Sequence, residues 1–296
     1  MRVGRLVVAA VALVVVPATA RAEPTVFEGN NIPMVEWMEN LAFDGLGGMW
    51  VSRISEARIV RYDVSGRETA SVTVPGIGYA SPSGIVRAPD GRLYVAVPWT
   101  PVHEAEIIRF DPRDANPVAE VFATGLGLLM ANGLGVDDAG NLYVTDQAQS
   151  GITRIRADGT VDTAWTQASK GLFGPNGIEV HGDAIYIGVT LDMANPIYRV
   201  PIDRPQDFEL YARLGYAPPF RALDDLTVAP DGALYIGAVT SPMSGNVFRI
   251  DPITRDATTV FSGGPVTSVR FAVEFGTATG DLFATTMSGD IVRIPV

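Results

Sequence analysis

The sequence predicts an all-β protein, a six-bladed β-propeller with four-stranded blades. Its 296 residues include 31 Gly and 21 Pro spread along the chain, which is typical of a fold with many short strands and turns. Three sequence landmarks each recur six times in the same order, with the first landmark spaced 43 to 49 residues apart. A repeated unit of this length that contains several short strands is the mark of a propeller blade.

The first landmark is a polar residue followed by an alternating apolar stretch. It predicts strand A of each blade, the strand that lines the central channel of a propeller. The six leading polar residues are Glu39, Ser83, Asn132, Asn176, Asp224 and Thr267.

The second and third landmarks predict strands B and C. Strand B is an apolar-aromatic-apolar triplet after a Gly or Asp turn, and its aromatic residues are Trp50, Tyr94, Tyr143, Tyr186, Tyr235 and Phe283. Strand C is an arginine among apolar residues: Arg61, Arg109, Arg154, Arg199, Arg249 and Arg293. We expect the aromatic rings to form core between blades and the arginines to be structural, bridging blades or covering strand edges.

The fourth strand of each blade, strand D, predicts how the ring closes. Residues 121–125, 210–213 and 260–263 show the strand D pattern, whereas the chain stops directly after strand C of blade six. Residues 25–29 have the same pattern as the D strands. We therefore expect this N-terminal segment to complete the last blade, which leaves no open edge between the first and last blades.

The first 22 residues read as a secretory signal peptide. Arg2 and Arg5 precede an apolar run at residues 6–16, and the small residues Ala20 and Ala22 flank a cleavage site. An uncleaved membrane anchor is the alternative, but the run is shorter than the roughly 20 residues that span a bilayer. The sequence thus predicts a signal peptide at 1–22, a single propeller domain at 23–296, a secreted or periplasmic location and no membrane contact after cleavage.

The composition excludes several function classes. The chain has no Cys, which excludes disulfides, a cysteine nucleophile and a thiolate zinc site. A formal net charge of −11 disfavours nucleic-acid binding. The sequence contains no G-x-S-x-G elbow, P-loop or dinucleotide-binding glycine motif, which disfavours serine esterase and nucleotide chemistry. We expect a small-molecule substrate and a monomer.

Four of the six strand A residues carry side chains that suit a cation. Because every strand A begins at the same rim of the channel, Glu39, Asn132, Asn176 and Asp224 are expected to point at one axis. Two carboxylates and two amide groups are the oxygen ligands that calcium prefers. The carboxylates would repel each other unless something neutralised them. The alternative is a solvated channel that merely tolerates polar residues.

These residues carry a family resemblance. The six blades, the Pro175-Asn176-Gly177 motif, Glu39 in blade one and Asp224 in blade five resemble the regucalcin/gluconolactonase family, and the ring is similar to those of diisopropylfluorophosphatase and paraoxonase propellers. The resemblance implies calcium or another divalent cation held by Glu39, Asn132, Asn176 and Asp224. It also implies hydrolysis of a lactone or ester, with Asp224 as general base or nucleophile.

Three further residues bear on this resemblance. Asp225 stands where the family usually has Gly, and it would place an extra oxygen beside the site. The longest predicted loop between strands B and C, residues 98–104, contains Trp99 and His103. Trp99 could form an apolar wall, and His103 could act as a catalytic proton shuttle, as a histidine does in paraoxonase-like sites. The alternative for His103 is a solvated loop residue.

Two other functions stay open beside the metal-dependent hydrolase. One is a non-catalytic propeller that binds a ligand or a protein at its rim and uses the cation only to hold the blades together. The other is a biosynthetic enzyme similar to strictosidine synthase, in which a single Glu acts without metal. The ring of two carboxylates and two amides argues against the metal-free biosynthetic enzyme, we favour the hydrolase, and the fold does not decide among the three.

Overall fold

The computed structural model describes residues 23–29, 36–75, 81–215 and 221–296. In these residues, strands form six antiparallel sheets that surround a central channel, which confirms the predicted six-bladed propeller. The predicted signal peptide at 1–22 lies outside the described residues. No helix in the described ranges is long and apolar enough to cross a membrane.

Each blade is built from consecutive strands, after an initial strand β1 (Thr25–Glu28). Blade one contains β2 (Met38–Phe43), β3 (Gly48–Arg53), β4 (Arg58–Asp63) and β5 (Glu68–Thr73). Blade two contains β6 (Ile85–Arg87), β7 (Leu93–Val97), β8 (Glu106–Phe110) and β9 (Glu120–Ala123). Blade three contains β10 (Ala131–Val136), β11 (Leu142–Asp146), β12 (Ile152–Ile155) and the helix α1 (Thr163–Ala168).

The second half of the ring repeats this arrangement. Blade four contains β13 (Pro175–His181), β14 (Ala184–Val189), β15 (Pro196–Pro201) and β16 (Glu209–Arg213). Blade five contains β17 (Ala222–Val228), β18 (Leu234–Ser241), β19 (Ser244–Ile250) and β20 (Ala257–Gly263). Blade six contains β21 (Val266–Phe271), β22 (Leu282–Thr286) and β23 (Ile291–Ile294). Short 3₁₀ turns lie at Ile54–Glu56, Pro205–Asp207 and Gly276–Ala278.

The N-terminal strand closes the ring as predicted. Strand β1 pairs antiparallel with β23 and becomes the fourth strand of blade six, with Thr25 opposite Arg293. Phe27 anchors this strand, because its ring packs 5.2 Å from the ring of Phe283 and 5.8 Å from that of Phe275, measured between centroids. Aromatic contacts of this kind tie the first described strand to the core of the last blade.

Blade three differs from the predicted four-stranded pattern. Its sheet has three strands, whereas the other five sheets of the described residues have four. The helix α1 lies where the fourth strand is expected. The Asp162 carboxylate caps its N-terminus by accepting a hydrogen bond from the backbone N–H of Trp165. The Trp165 indole is buried 5.1 Å from the Tyr143 ring and donates to the Ile202 carbonyl oxygen at 2.7 Å. Burial of this indole explains why a helix covers the blade here.

The aromatic and arginine landmarks lie side by side in every blade. Each strand B aromatic is directly opposite the strand C arginine of the same blade: Trp50 and Arg61, Tyr94 and Arg109, Tyr143 and Arg154, Tyr186 and Arg199, Tyr235 and Arg249, Phe283 and Arg293. The aromatic rings are buried or half-buried, as the sequence predicts.

The strand C arginines are structural, but they make their ion pairs inside their own blade. In five blades the partner is the aspartate of the turn between strands A and B, at distances from 2.5 to 3.9 Å: Asp44, Asp137, Asp183, Asp231 and Asp281. In blade two, Arg109 pairs instead with Glu120 of strand D at 2.8 Å. The ion pairs therefore fasten each blade internally and do not bridge neighbouring blades.

Candidate functional site

The four predicted cation ligands lie in β-bulges at the start of strand A. The register between strands A and B shifts at four matching places: between Met38 and Leu41, Ala131 and Leu134, Pro175 and Ile178, and Leu223 and Leu226. Each shift encloses one predicted ligand and the residue after it. A bulge bends the strand and changes the direction of its side chains. The bulges therefore distinguish these positions from the regular ladder further along each strand.

Hydrogen bonds hold Glu39 at the centre of this ring. Its side chain is 4% exposed. The indole Nε1 of Trp37 donates to Glu39 Oε2 at 2.6 Å, and the amide of Asn132 donates to Glu39 Oε1 at 3.3 Å. The structure thus brings a carboxylate of blade one into contact with an amide of blade three across the channel.

Asn176 offers an acceptor that has no partner. Its Nδ2 donates to Thr190 Oγ1 at 2.8 Å, and Thr190 in turn donates to the Leu223 carbonyl oxygen. This fixes the orientation of the amide and leaves its Oδ1 buried without a hydrogen bond. An unsatisfied buried acceptor is costly, and a cation would satisfy it.

The two ring carboxylates interact with each other electrostatically. Burial raises the pKa of Glu39 to about 7, and the negative charge of Asp225 adds to this effect. Burial also raises the pKa of Asp224 well above its usual range, helped by the charges of Glu39 and Asp225. Glu39 is buried and Asp224 half-buried, and both shifts arise because negative charges lie close together away from bulk water; a bound cation would reverse them.

The donor set of the ring fits a hard divalent cation. It consists of two carboxylates and amide oxygens, which suit calcium more than zinc or copper. The described residues contain no group of three or more His, Cys, Asp or Glu placed to hold a metal, so the amides of Asn132 and Asn176 have to complete the set. The roles of Glu39, Asn132, Asn176 and Asp224 as ligands stay a prediction.

The other two ring positions face the backbone. Ser83 Oγ donates to the Ala131 carbonyl oxygen at 2.9 Å, and Thr267 Oγ1 donates to the Met38 carbonyl oxygen at 2.6 Å. Both acceptors belong to residues that directly precede a predicted ligand in a neighbouring strand A. These hydroxyls therefore hold the bulges of adjacent blades in place. Of the six polar residues predicted for the ring, four remain as candidates for binding a cation.

Gly177 allows the strand A backbones of blades four and five to approach closely. A Cβ atom at this position would overlap the carbonyl oxygen of Asp224 and the Cα atom of Asp225. Only glycine leaves room for this contact between backbones. The motif Asn176-Gly177 thus combines one predicted ligand with the glycine that lets the next predicted ligand, Asp224, come near.

We expect Gly177→Ala to separate the two blades at the ring. The overlap is with backbone atoms, which cannot move aside as a flexible side chain can, so the free energy of unfolding should fall by about 1–3 kcal/mol. Calcium affinity should fall in the same variant, because Asp224 is displaced. Urea unfolding and calcium titration measure both effects. Gly264→Ala is the matched control, since a Cβ there meets only side-chain atoms at 3.5 Å or more, and an equal loss in both variants would contradict the prediction.

A second polar layer lies directly below the ring. Asp225 is 1% exposed; its Oδ2 accepts from Ser268 Oγ at 2.7 Å and pairs with Arg270 Nη1 at 2.9 Å. Ser268 Oγ also lies 3.2 Å from Asn40 Oδ1. Arg270 faces a cavity of about 430 Å³ at the opposite end of the channel. Asp225 is therefore neutralised from below by a guanidinium, whereas the ring carboxylates above it have no such partner among the described residues.

His103 lies outside the four-residue ring. It is in the loop between β7 and β8, where its Nε2 is 3.2 Å from Glu106 Oε1. Among the contacts of the described residues, none joins the His103 side chain to Glu39, Asn132 or Asp224. Its role as a proton shuttle stays a prediction.

Sequence reasoning did not identify several residues that support the ring. Trp37 is two positions before Glu39, the spacing that places side chains on one face of an extended strand, and this signal was available. Thr190 and Ser268 gave no signal, because a hydroxyl at a strand end is common. Arg270 was detectable as a charged residue inside a channel-lining strand, but its partner Asp225 is in a different blade.

Comparisons with known proteins support the fold. No protein-family model matches the chain, and no curated protein sequence matches it. Solved structures do: a candidate gluconolactonase is 16% identical with a TM-score of 0.69, covering 94% of this chain and 93% of its own. The PQQ-bound aldose sugar dehydrogenase from Streptomyces coelicolor is 15% identical with a TM-score of 0.67, covering 92% of this chain and 98% of its own.

A luciferin-regenerating enzyme also has a similar structure. It is 15% identical with a TM-score of 0.67, covering 92% of this chain and 95% of its own. The chain has the fold of these propeller enzymes. At such identities the likeness establishes architecture, and the chemistry has to be argued from the site.

Proposed function

We propose that this protein is a metal-dependent hydrolase that acts on a lactone or ester, with one divalent cation, calcium in the first instance, bound by Glu39, Asn132, Asn176 and Asp224. One observation carries the proposal: Glu39 contacts the Asn132 amide across the channel, Glu39 and Asn176 both act on Asp224, and the Asn176 amide oxygen is buried without a partner. Such a cluster is costly without a cation and becomes a site with one.

Each side chain of the ring has a different role in the proposed hydrolysis. A divalent cation supplies Lewis acidity toward a substrate carbonyl and lowers the pKa of nearby water. Asp224 removes a proton from the attacking water as its oxygen bonds to the carbonyl carbon, or attacks that carbon directly. The bond to the leaving oxygen then breaks, and that oxygen takes up a proton; where Asp224 itself attacked, a water molecule then cleaves the acyl–Asp224 bond and restores the carboxylate. Trp37 holds the Glu39 carboxylate in place throughout.

The comparisons support an enzyme of this general kind. The neighbours include a candidate gluconolactonase, a luciferin-regenerating enzyme and a dehydrogenase, so both hydrolytic and oxidative chemistry occur on this fold. The present ring favours hydrolysis, because its carboxylates and amides bind a cation and move a proton. The signal-like residues 1–22 support a secreted or periplasmic location, and we expect the protein to act as a monomer on a small molecule.

A substrate panel tests this proposal. Lactones, aryl esters and phosphotriesters are incubated with the purified protein with calcium and with excess chelator, and an aldose with PQQ and a redox dye is included as the oxidative arm. We expect calcium-dependent hydrolysis of a lactone or ester. Hydrolysis that persists in chelator, dye reduction alone, or a chelator-induced fall in melting temperature with no turnover would each contradict the proposal, the last in favour of a non-catalytic propeller.

Calcium affinity is expected to depend on pH. The pKa of Glu39 is raised to about 7 in the metal-free protein, so below this pH a proton has to leave before the carboxylate can bind a cation. The apparent affinity should therefore rise about tenfold between pH 6 and pH 8, and more steeply if Asp224 also releases a proton. Calcium titrations across this range measure the effect. An affinity that does not change with pH would show that Glu39 is not a ligand.

A further inference from the structure

The rim around the ring carries a group of exposed apolar side chains. Within the described part of the chain, every exposed methionine and exposed aromatic side chain lies on the loops of this rim: Trp99, Met130, Phe173, Met193 and Met243. The exposed large apolar residues elsewhere are valine, leucine and isoleucine. Large exposed apolar patches mark sites of interaction, and here the patch borders the proposed cation site.

Four of these residues, together with two exposed leucines of the same loops, form an arc over blades two, three and four. The apolar arc consists of Trp99, Leu129, Met130, Phe173, Leu191 and Met193. Its members follow strand B or precede strand A of their blades, at the channel end where the ring lies. Leu129 and Met130 are three and two positions before Asn132, and Phe173 is three positions before Asn176.

Contacts between loops hold the arc in a defined shape. The backbone N–H of Trp99 donates to the Leu129 carbonyl oxygen at 3.1 Å. The N–H groups of Leu129 and Met130 donate to the buried Asp146 carboxylate at 2.7 and 3.0 Å. Asp146, the last residue of strand B in blade three, therefore fixes the loop that carries two members of the arc.

The far end of the arc is held in a similar way. Thr190 donates its backbone N–H to the Gly174 carbonyl oxygen at 3.1 Å, and the Leu191 side chain packs directly over Gly174. Thr190 is also the residue that orients the Asn176 amide. Leu191 and Phe173 are thus anchored to the same elements that position a ring ligand.

The arc and the two ring carboxylates, Glu39 and Asp224, lie on opposite sides of the channel. The carboxylates belong to blades one and five, whereas the arc spans blades two to four, next to the amides. A substrate whose carbonyl lies at the axis would therefore extend its remaining part over apolar side chains. The six side chains of the arc offer no hydrogen-bond partner to the hydroxyl groups of a sugar lactone, apart from the Trp99 indole N–H, so hydroxyls placed on them would lose water at a cost in binding.

From this arrangement we infer that the substrate is an ester or lactone with an apolar alkyl or aryl portion, which the apolar arc binds. The inference rests on the proposed hydrolase function. Each methylene that leaves water on binding adds favourable free energy. The catalytic efficiency, kcat/KM, should therefore rise about two- to fourfold for each added methylene until the chain exceeds the arc.

A chain-length series tests the inference. p-Nitrophenyl esters from acetate to decanoate, and γ-lactones of matching length beside gluconolactone, are compared with the intact protein. In Phe173→Ser and Leu191→Ser the rise of kcat/KM with chain length should flatten. Ile253→Ser, which changes an 87% exposed residue outside the rim, should keep the full rise.

The outcomes separate the inference from the function on which it rests. Calcium-dependent turnover with no gain from chain length, or with gluconolactone preferred, overturns the inference and leaves the hydrolase proposal standing. If nothing is hydrolysed, binding of acetate, hexanoate and decanoate is measured by tryptophan fluorescence. Tighter binding of decanoate that Phe173→Ser abolishes then supports the apolar site and refutes the hydrolase. Equal binding of all three, or retention on phosphatidylcholine vesicles without a chain-length effect, overturns the inference.

Discussion

Replacing Asp224 by asparagine is expected to lower kcat/KM for ester or lactone hydrolysis by about 10²- to 10⁴-fold, the range for loss of a general base. The amide keeps the shape of the side chain and a ligand oxygen, but it cannot accept the proton of the attacking water. Steady-state kinetics in saturating calcium measure the effect. Asp203→Asn, which alters an exposed aspartate paired with Arg204, is the matched control and should retain full activity.

The stability of the same variant should change in the opposite direction. Because burial raises the pKa of Asp224, its ionisation in the metal-free protein opposes folding, and stability is lost as the pH rises above the unfolded value of 3.8. Asp224→Asn removes this charge. In chelator at pH 8 the variant should therefore melt at or above the temperature of the unaltered protein, while gaining less from calcium. Activity within tenfold of the unaltered protein would exclude Asp224 as the base.

Replacing Arg270 by methionine is expected to cost about 3–5 kcal/mol of the free energy of unfolding, the range for breaking a buried ion pair. Asp225 would keep its Ser268 hydrogen bond but lose its positive partner. The Leu226 and Val269 carbonyl oxygens would lose a donor as well. The penalty arises mainly from Asp225, which stays buried without a positive partner; Glu179, 3.9 Å from Arg270 Nη1, loses the same partner at a more exposed position.

A double-mutant cycle isolates this cause. Asp225→Asn in the Arg270→Met background removes the more buried of the two carboxylates that lose the arginine, so it should recover the larger part of the lost stability in urea unfolding, while Glu179 stays unpaired. The cycle also separates charge from packing, because methionine fills part of the space of the arginine stem. Equal stability of the single and double variants would show that the pair does not stabilise the channel.

The fold was predictable because it is repeated. Each landmark occurs six times and predicts the same strand each time. A weak or ambiguous pattern in one blade can therefore be assigned from the other five. Blade three was not predicted correctly in full, because the helix α1 stands in place of its fourth strand. Trp165 of this helix contacts Tyr143 and Ile202. No periodic pattern encodes contacts between two blades.

The site was predictable in position and less so in orientation. The start of strand A identified Glu39, Asn132, Asn176 and Asp224, but the same reasoning placed Ser83 and Thr267 in the ring. Their hydroxyls turn to carbonyl oxygens of adjacent strands, a choice that depends on where those strands lie. The Asp225–Arg270 pair was missed for the same reason, since its members are 45 positions apart and meet only in the folded channel.

Calcium titration of chelator-treated protein, followed by isothermal calorimetry at pH 8, addresses the axial cation most directly. We expect one calcium ion per chain for the unaltered protein and for Asp203→Asn, and a large loss of affinity in Glu39→Gln. Absence of saturable binding of calcium or another divalent cation, or binding that Glu39→Gln leaves unchanged, would show that the ring of Glu39, Asn132, Asn176 and Asp224 is not a cation site.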